Sequence, residues 1–307
     1  IVNGMETGDL SKYGEEKDGK MIYRLLADID LKEAKINPMF NDMNHPFNHI
    51  FNGEGNTISN FIIKAKGGYA GLFGQIGSEG VVKNLYINDC VMSIPEDASA
   101  GSGVGVIAGV CKGVISDCGV TFGEITNLVT SSYTGGMVGT LRNGTIINSF
   151  VKNSNITTTD ASVGGIVGKI ETGDILNCFS ASNTITRSNN YSGGFCGRAD
   201  NGNIINSYVY KLIFKDNINT GQFIGHGINS NATECFTDTG TDIYNLIKEK
   251  DNCTYTPNYK YNSHFTNSQG AVYKLLNQWI KANQSSYNHP FTQWTEDKTG
   301  NLPAIFQ

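Results

Sequence analysis

A short glycine-bounded phrase recurs along this chain at nearly constant intervals. Two apolar residues precede its final glycine, which stands in successive copies at Gly74, Gly109, Gly139, Gly168, Gly197 and Gly225. The intervals between these glycines are 35, 30, 29, 29 and 28 residues. A unit of about this length cannot bury a face of its own, so successive units have to stack on one another. The period therefore predicts a repeat architecture in place of a single globular core.

Three neighbouring columns of residues repeat together after each of these glycines. The first column is polar and consists of Asn84, Asp117, Asn148, Asn177, Asn206 and Glu234. The second is small or apolar and consists of Leu85, Cys118, Ser149, Cys178, Ser207 and Cys235. The third is mostly aromatic and consists of Tyr86, Gly119, Phe150, Phe179, Tyr208 and Phe236. Short β-type runs without helical spacing predict an all-β fold, a parallel β-solenoid (β-helix) of about six coils stacked at roughly 4.8 Å.

The columns also predict which side chains face the interior. A turn at the polar column points the second column inward and the aromatic column outward, whereas a shift of one residue reverses every later side chain. An outward aromatic column suits sugar faces or a partner surface, and an inward stack or a column covered by loops is the alternative. Cysteines on alternate coils lie roughly 10 Å apart, beyond the disulfide limit of about 7 Å. We expect Cys118, Cys178 and Cys235 to be buried free thiols, and the asparagines to bind their own copies and the turning backbone.

The repeated phrase resembles a known bacterial repeat. The residues that carry the resemblance are Gly71-Leu72-Phe73-Gly74 with Val82-Lys83-Asn84-Leu85, and Gly165-Ile166-Val167-Gly168 with Ile175-Leu176-Asn177-Cys178. They are similar to the GLUG repeat of bacterial surface and secreted proteins, which include non-catalytic regions of IgA-specific metallopeptidases and surface proteins of Bacteroides relatives. The resemblance covers nearly the whole chain and departs at Val106, where the family has glycine. It implies a secreted or cell-surface, adhesin-like and host-associated protein.

The ends of the chain differ from the repeat, as the exposed edges of an open stack require. We predict an N-terminal cap with entry coils over residues 1–65, solenoid repeats over 66–240 and a small, partly helical C-terminal cap over 241–307. These parts form one continuous structural domain. Apolar spacing of three and four residues predicts short amphipathic helices over Thr241–Lys250 and Ala271–Asn283.

Composition excludes several classes of partner. The 23 Lys and Arg against 28 Asp and Glu give a formal net charge of −5, without the basic stripe that nucleic-acid binding needs. No apolar run approaches the roughly 18 residues of a membrane helix, so we expect no integral membrane segment in this chain. The chain starts at Ile1 without a leader, so a targeting segment is expected to lie outside it. We expect a monomer.

The sequence contains no complete motif for metal binding or catalysis. His45 and His49 have the spacing of a zinc helix, but Pro46 lies between them and the glutamate of that motif is missing. Asp28 and Asp30 share one face of a predicted strand and suit either an acid pair or calcium, but bonding to cap backbone amides is the favoured interpretation. We therefore predict no metal, no cofactor and no catalytic residues.

Two functions remain open at the level of the sequence. The favoured one is a non-catalytic binding or adhesion module that presents a rigid surface to carbohydrate or to a host or cell-surface protein. Its predicted contact residues are Tyr133 and Tyr191, which recur at equivalent positions two coils apart in the loops before the repeated phrase. The alternative is a polysaccharide-active β-helix enzyme, a lyase or glycosidase, which would need clustered carboxylates on one face.

Overall fold

The chain folds into an all-β parallel solenoid of about seven turns, and the described part near its C-terminus contains a short α-helix. The computed structural model describes residues 13–42, 44–65, 69–96, 98, 103–130, 132–159, 162–186, 191–215, 219–237, 247–251, 253–255, 266–267, 270–296 and 303–304. In this described part, three long sheets run along the solenoid. The repeating coils contribute strands to more than one of them, in agreement with the short β-type runs of the sequence.

The strands are grouped here by sheet. Sheet 1 contains Glu15–Lys17, Lys20–Arg24, Ile50–Asn52, Phe73–Ile76, Val81–Lys83, Ala108–Cys111, Val114–Ser116, Val138–Ile147, Val167–Leu176, Cys196–Ala199, Gly202–Ile205, Ile224–Ile228, Asn231–Thr233, Ile247–Asp251 and Thr254–Tyr255. Sheet 2 contains Ile29–Ile36, Thr57–Lys64, Tyr86–Ile94, Gly119–Thr121, Glu124–Asn127, Phe150–Lys152, Asn155–Thr158, Phe179–Ala181, Thr184–Thr186, Tyr208–Tyr210, Ile213–Lys215 and Phe236–Thr237. Sheet 3 contains Val104–Gly105, Tyr133–Gly135, Ser162–Gly164, Tyr191–Gly193 and Asn219–Gly221. Two short antiparallel pairs join Thr266–Asn267 to Gly270–Ala271 and Thr295–Glu296 to Pro303–Ala304.

The register of the sheets follows the sequence period. Phe150 pairs with Phe179 and Phe179 with Tyr208, each step being 29 residues. On the other side of the corner, Ile147 pairs with Leu176 and Leu176 with Ile205. The predicted superposition of the asparagine rungs between these strands is thereby confirmed. The stack is longer than six coils because strands before residue 66 join it in parallel, as Ile50–Asn52 does with Val81–Lys83.

The repeated phrase forms a tight turn from sheet 3 into sheet 1. In one copy, Gly164 ends a strand of sheet 3 and Val167 starts the next strand of sheet 1. A Cβ atom on Gly164 would lie 2.0 Å from the carbonyl oxygen of Val167 and 2.6 Å from that of Phe195 in the next coil. The glycine is needed because main chain closes on it from its own turn and from the neighbouring coil.

The polar column forms the corner between sheet 1 and sheet 2. Asn148, Asn177 and Asn206 have φ values of 50°, 56° and 51°, in the left-handed region that asparagine tolerates better than most residues. Asn177 donates to Asn148 Oδ1 at 2.8 Å, and Asn206 donates to Asn177 Oδ1 at 2.8 Å. The asparagines bind their own copies as predicted.

The cysteine and serine column faces the interior, as a turn at the asparagine requires. The backbone amide of Cys118 donates to Ser149 Oγ at 3.1 Å, and that of Cys178 donates to Ser207 Oγ at 3.0 Å. All three predicted cysteines are buried and free, which confirms their assignment. Burial raises the pKa of the Cys118 thiol to about 12 and also raises the pKa values of Cys178 and Cys235.

We expect these three thiols to resist alkylation in the folded protein. A raised pKa leaves little thiolate near pH 8, and burial keeps the reagent away. Mass spectrometry after a short iodoacetamide pulse at pH 8 should find Cys118, Cys178 and Cys235 unmodified, and denaturant should expose them. The half-buried Cys253 is the internal reference and should react first. Rapid labelling of all three in the native state would place their column at the surface.

The two predicted C-terminal helices have different outcomes. The second is confirmed as an α-helix over Val272–Asn283, followed by a 3₁₀ turn over Gln284–Ser286. The first is wrong where it can be compared, because Ile247–Asp251 is a strand that pairs in parallel with Ile224–Ile228. The open edge of the last coil offers unpaired backbone groups, and pairing with them overrides the helical spacing. Residues 241–246 of the predicted helix lie outside the described residues.

Candidate functional site

The aromatic column points away from the solenoid interior and is covered by the C-terminal region. The Phe150 and Phe179 rings stack with centroids 4.8 Å apart and an interplanar angle of 5°, and the Tyr208 ring follows at 5.1 Å. Trp294 packs on this stack, 5.4 Å from the Tyr208 centroid, and is only 1% exposed. The helix adds buried side chains to the same cluster, namely Val272, Leu276 and Ile280. The covered alternative is therefore the correct one, with a helix and an irregular segment as the cover.

We call residues 289–294 the docking segment, because side-chain amides bind its main chain from two sides. On the solenoid side, Asn148 accepts from the Thr292 amide at 3.1 Å and Asn177 donates to the Thr292 carbonyl at 2.9 Å. Asn148 also donates to the Pro290 carbonyl at 2.9 Å. On the helix side, Asn277 exchanges two hydrogen bonds with the main chain of Trp294.

Asn148 and Asn177 can each do both tasks because a side-chain amide has two donors and two acceptor positions. One hydrogen and one lone pair join the neighbouring rungs, and the others reach the docking segment. Trp294 Nε1 also donates to Asn177 Oδ1, which ties the largest buried side chain to the same column. Asp117 takes part as an acceptor, from Asn148 Nδ2 at 3.0 Å and from the Thr292 hydroxyl at 3.1 Å.

Tyr133 and Tyr191 lie on sheet 3, two coils apart as predicted. Ser162 pairs with Tyr133 and takes the equivalent position in the coil between them. Each tyrosine ring contacts a basic residue of the following coil. Lys169 Nζ lies 5.1 Å from the Tyr133 ring centroid, and the His226 ring lies 4.5 Å from that of Tyr191. The structure thus places the predicted tyrosines in strands, where the sequence suggested loops.

An ion-pair cluster joins the two tyrosines. Lys169 Nζ lies 3.1 Å from Asp200 Oδ2 and 3.7 Å from Glu171 Oε1. Arg198 Nε contacts Asp200 Oδ1 at 2.7 Å, and Arg142 binds Glu171 through two nitrogens. The side chains of Lys169 and Arg198 are 14% and 34% exposed. We call these residues together with Tyr133, Tyr191 and His226 the charged face.

Hydrogen bonds within this face favour the charged forms of Glu171, Asp200 and Arg198. The hydrogen bond from Arg142 is the main reason that the pKa of Glu171 lies below its usual value. Burial opposes ionisation of Asp200, but hydrogen bonds from Arg198 and Lys169 outweigh it and lower the pKa of this carboxyl. The hydrogen bond to Asp200 raises the pKa of Arg198, and the nearby Tyr133 and Tyr191 add to this effect. Both acids are therefore ionised at neutral pH.

The lowered pKa values of Glu171 and Asp200 differ from what an acid catalyst requires. A glycosidase needs one carboxyl with a raised pKa, so that it can donate a proton to the leaving oxygen. Glu171 and Asp200 have the opposite shift and each is bound by cations. This arrangement suits recognition of polar groups better than proton transfer.

The sequence analysis identified the two tyrosines of the charged face but not its charged residues. The recurrence of Tyr133 and Tyr191 identifies these two residues, whereas Glu171 and Asp200 are not among the residues singled out above. The repeat period indicates that these charged residues lie together, since Lys169-Ile170-Glu171 and Arg198-Ala199-Asp200 are separated by the 29-residue step. Lys169 pairs with Arg198 across sheet 1, so both pairs of charges fall on neighbouring coils.

The other candidate groups have structural roles. Asp28 accepts a hydrogen bond from the Thr57 amide at 2.7 Å, and Asp30 accepts one from the Lys32 amide at 2.9 Å, as the backbone interpretation predicts. His45 contacts Asp42, while His49 packs against Tyr23 and Phe47. Within the described ranges, no group of three or more His, Cys, Asp or Glu side chains could hold a metal ion.

The comparison with known proteins supports the fold. No protein-family profile matches the chain. Among solved structures, it is similar to a Bacteroides ovatus protein described as a candidate immunoglobulin A1 protease, with a TM-score of 0.63 and 21% identity over 93% of this chain and 85% of that one. Identity this low establishes likeness of fold alone. An IgA1 protease chain aligns with a TM-score of 0.47 over 84% of this chain and 21% of its own length, a likeness too low to support an argument.

One curated protein shares a detectable part of the sequence. An alignment 146 positions long, which covers 43% of this chain, is 31% identical to halomucin of Haloquadratum walsbyi. The chain spans about 1% of the length of halomucin. In the part of the chain that the structure describes, no helix is both long and apolar enough to pass through a membrane.

Proposed function

We propose that this chain is a non-catalytic extracellular binding module whose charged face binds carbohydrate. The observation that supports this proposal most is that Tyr133 and Tyr191 lie beside cations and carboxylates on neighbouring coils. Aromatic rings contact the apolar faces of sugars, and charge-assisted hydrogen bonds bind their hydroxyl groups. Because sheet 3 is regular, the tyrosines stand two strand separations apart, roughly 9.6 Å. That spacing suits an extended chain of sugars better than a single small ligand.

Several further observations support this proposal. The GLUG resemblance implies a secreted or cell-surface protein, and the partial likenesses to halomucin and to an immunoglobulin A1 protease chain are compatible with that setting. The enzyme alternative has less support, because the acids of the charged face are ionised and bound by cations. A protein surface is the other class of ligand that this face would fit.

Replacing both tyrosines by alanine should weaken glycan binding at least tenfold. Each replacement removes a ring that stacks against sugar, while the thermal midpoint should change little because both side chains are only partly buried. A glycan array, followed by titration of the best binder, measures the effect on the double variant Tyr133→Ala, Tyr191→Ala. Tyr13→Ala is the control, since this exposed tyrosine lies outside sheet 3.

A reducing-sugar release assay on the wild-type protein separates the two functions. Turnover of any polysaccharide on the array would favour the enzyme. Unchanged glycan binding by the double variant, or a blank array with tight binding to a purified protein ligand, would reject carbohydrate recognition by this face.

A further inference from the structure

The asparagine column continues beyond the docking segment, toward the N-terminal coils. Asn84 occupies the rung before Asp117 and has the same left-handed backbone, with φ of 52°. It donates one amide hydrogen to Asn52 Oδ1 at 3.0 Å, as the later rungs do to their neighbours. Among the described residues, the hydrogen bonds of the docking segment with the column end at Asp117 and do not include Asn84.

The acid at position 117 leaves Asn84 with unused hydrogen-bonding capacity. An asparagine there would donate to Asn84 Oδ1, as Asn177 donates to Asn148 Oδ1. A carboxylate has no hydrogen to donate, so in the described part of the chain neither Asn84 Oδ1 nor the second amide hydrogen has a partner. Glu234 interrupts the other end of the column in the same way, and Asn206 Oδ1 there is buried without a partner among the described groups. Asn206 is fully buried, whereas Asn84 is half-buried beside a cavity.

That cavity has a volume of about 300 Å³ and lies between Asn84 and the start of the docking segment. Its lining is partly apolar, with Val81, Val114 and Ile147, and includes His289 and Pro290 of the docking segment. Lys83, Ser116 and Asp117 add polar groups. Its size is at the low end for ligand pockets, so it admits a side chain with its adjoining main chain but no folded domain.

We propose that this cavity is a docking site for a loop or unfolded segment of another polypeptide, bound through its main chain by Asn84. The docking segment provides the precedent within this molecule, because Asn148 and Asn177, on later rungs of the same column, bind the amide and the carbonyl of Thr292. An apolar side chain of the incoming segment fills the space over Val81 and Val114. Recognition is of the peptide backbone, with a requirement for one apolar side chain.

The test uses a peptide that already suits this groove. The probe is a fluorescein-labelled pentapeptide with the sequence of residues 290–294, Pro-Phe-Thr-Gln-Trp, measured by fluorescence anisotropy with the full chain. A second probe carries an N-methyl group on threonine, which removes the amide donor. We expect the first probe to bind and the second to bind about tenfold more weakly, the size of effect expected for one or two lost hydrogen bonds.

A pair of glycine variants locates the binding. Asn84→Gly removes the side-chain amide and tolerates the positive φ, and it should weaken the first probe about tenfold. Asn153→Gly is the matched control, because Asn153 has a φ of 55° between two strands of sheet 2 and is exposed. Absence of binding to the wild-type protein, equal binding of the two probes or an unaffected Asn84→Gly variant would each overturn the proposal. The Tyr133→Ala, Tyr191→Ala variant should bind the peptide normally, which separates this site from the charged face.

Discussion

Replacing Gly164 by alanine is expected to prevent the chain from reaching its native fold. The new Cβ would lie 2.0 Å from the Val167 carbonyl oxygen, 2.6 Å from the Phe195 carbonyl oxygen and 2.8 Å from the Cys196 Cα. All three atoms belong to main chain, so no side-chain rotation relieves the overlap. The turn and the next coil would both have to move, at an expected cost of more than about 4 kcal/mol.

Gly123→Ala is the matched control for this change. The nearest atom to its Cβ is the Ser154 Oγ at 3.3 Å, the end of a short side chain that can move slightly. Circular dichroism and urea unfolding should place this variant within about 1 kcal/mol of the wild type. A soluble Gly164→Ala protein with wild-type unfolding would mean that the turn is looser than its geometry indicates.

Replacing Trp294 by alanine is expected to release the C-terminal cover from the solenoid. The indole is 1% exposed, packs on the Phe179 and Tyr208 rings and donates to Asn177 Oδ1. Truncation of a buried tryptophan costs about 3–5 kcal/mol, and here it also leaves a buried acceptor with one donor fewer. The loss should fall first on the contact between the cover and the coils, since the asparagine rungs still bind one another.

Hydrogen exchange resolved by mass spectrometry distinguishes this local release from general unfolding. Peptides from Val272–Asn283 and from the docking segment should exchange much faster, while Ser162–Gly164 should stay protected. Phe122→Ala is the control, because that ring is 51% exposed and its loss should change the stability by less than about 0.5 kcal/mol. Unchanged protection of the helix in Trp294→Ala would show that the indole contributes little to holding the cover.

Much of the solenoid could be predicted from the sequence, because the length of the repeat determines which residues of successive coils pair with one another. The 29-residue step gave the register of Asn148, Asn177 and Asn206, and alternate-coil spacing gave the separation of the cysteines. The left-handed corner followed from the residue type, since asparagine tolerates positive φ. These features depend on contacts between a residue and its own copies, which the repeat makes visible.

The cover over the aromatic column could not be predicted in the same way. Asn148 and Pro290 are separated by 142 residues, and the docking segment has no copy elsewhere that would give its register. The sequence was therefore compatible with several different segments covering an outward aromatic column. The strand Ile247–Asp251 was missed for a related reason, because its structure depends on the unpaired edge of the coil before it and local spacing favoured a helix.

The position of the C-terminal cover changes how this rod resists unfolding. In a simple repeat protein each coil contacts only its neighbours, so the ends fray and unfolding spreads coil by coil. Here one segment bonds to Asp117, Asn148 and Asn177 together, and its tryptophan packs on the rings of two coils. These coils cannot separate one at a time without losing the shared cover. The C-terminal half should therefore melt as one cooperative block, while the coils before Asp117 keep the graded behaviour of an ordinary stack.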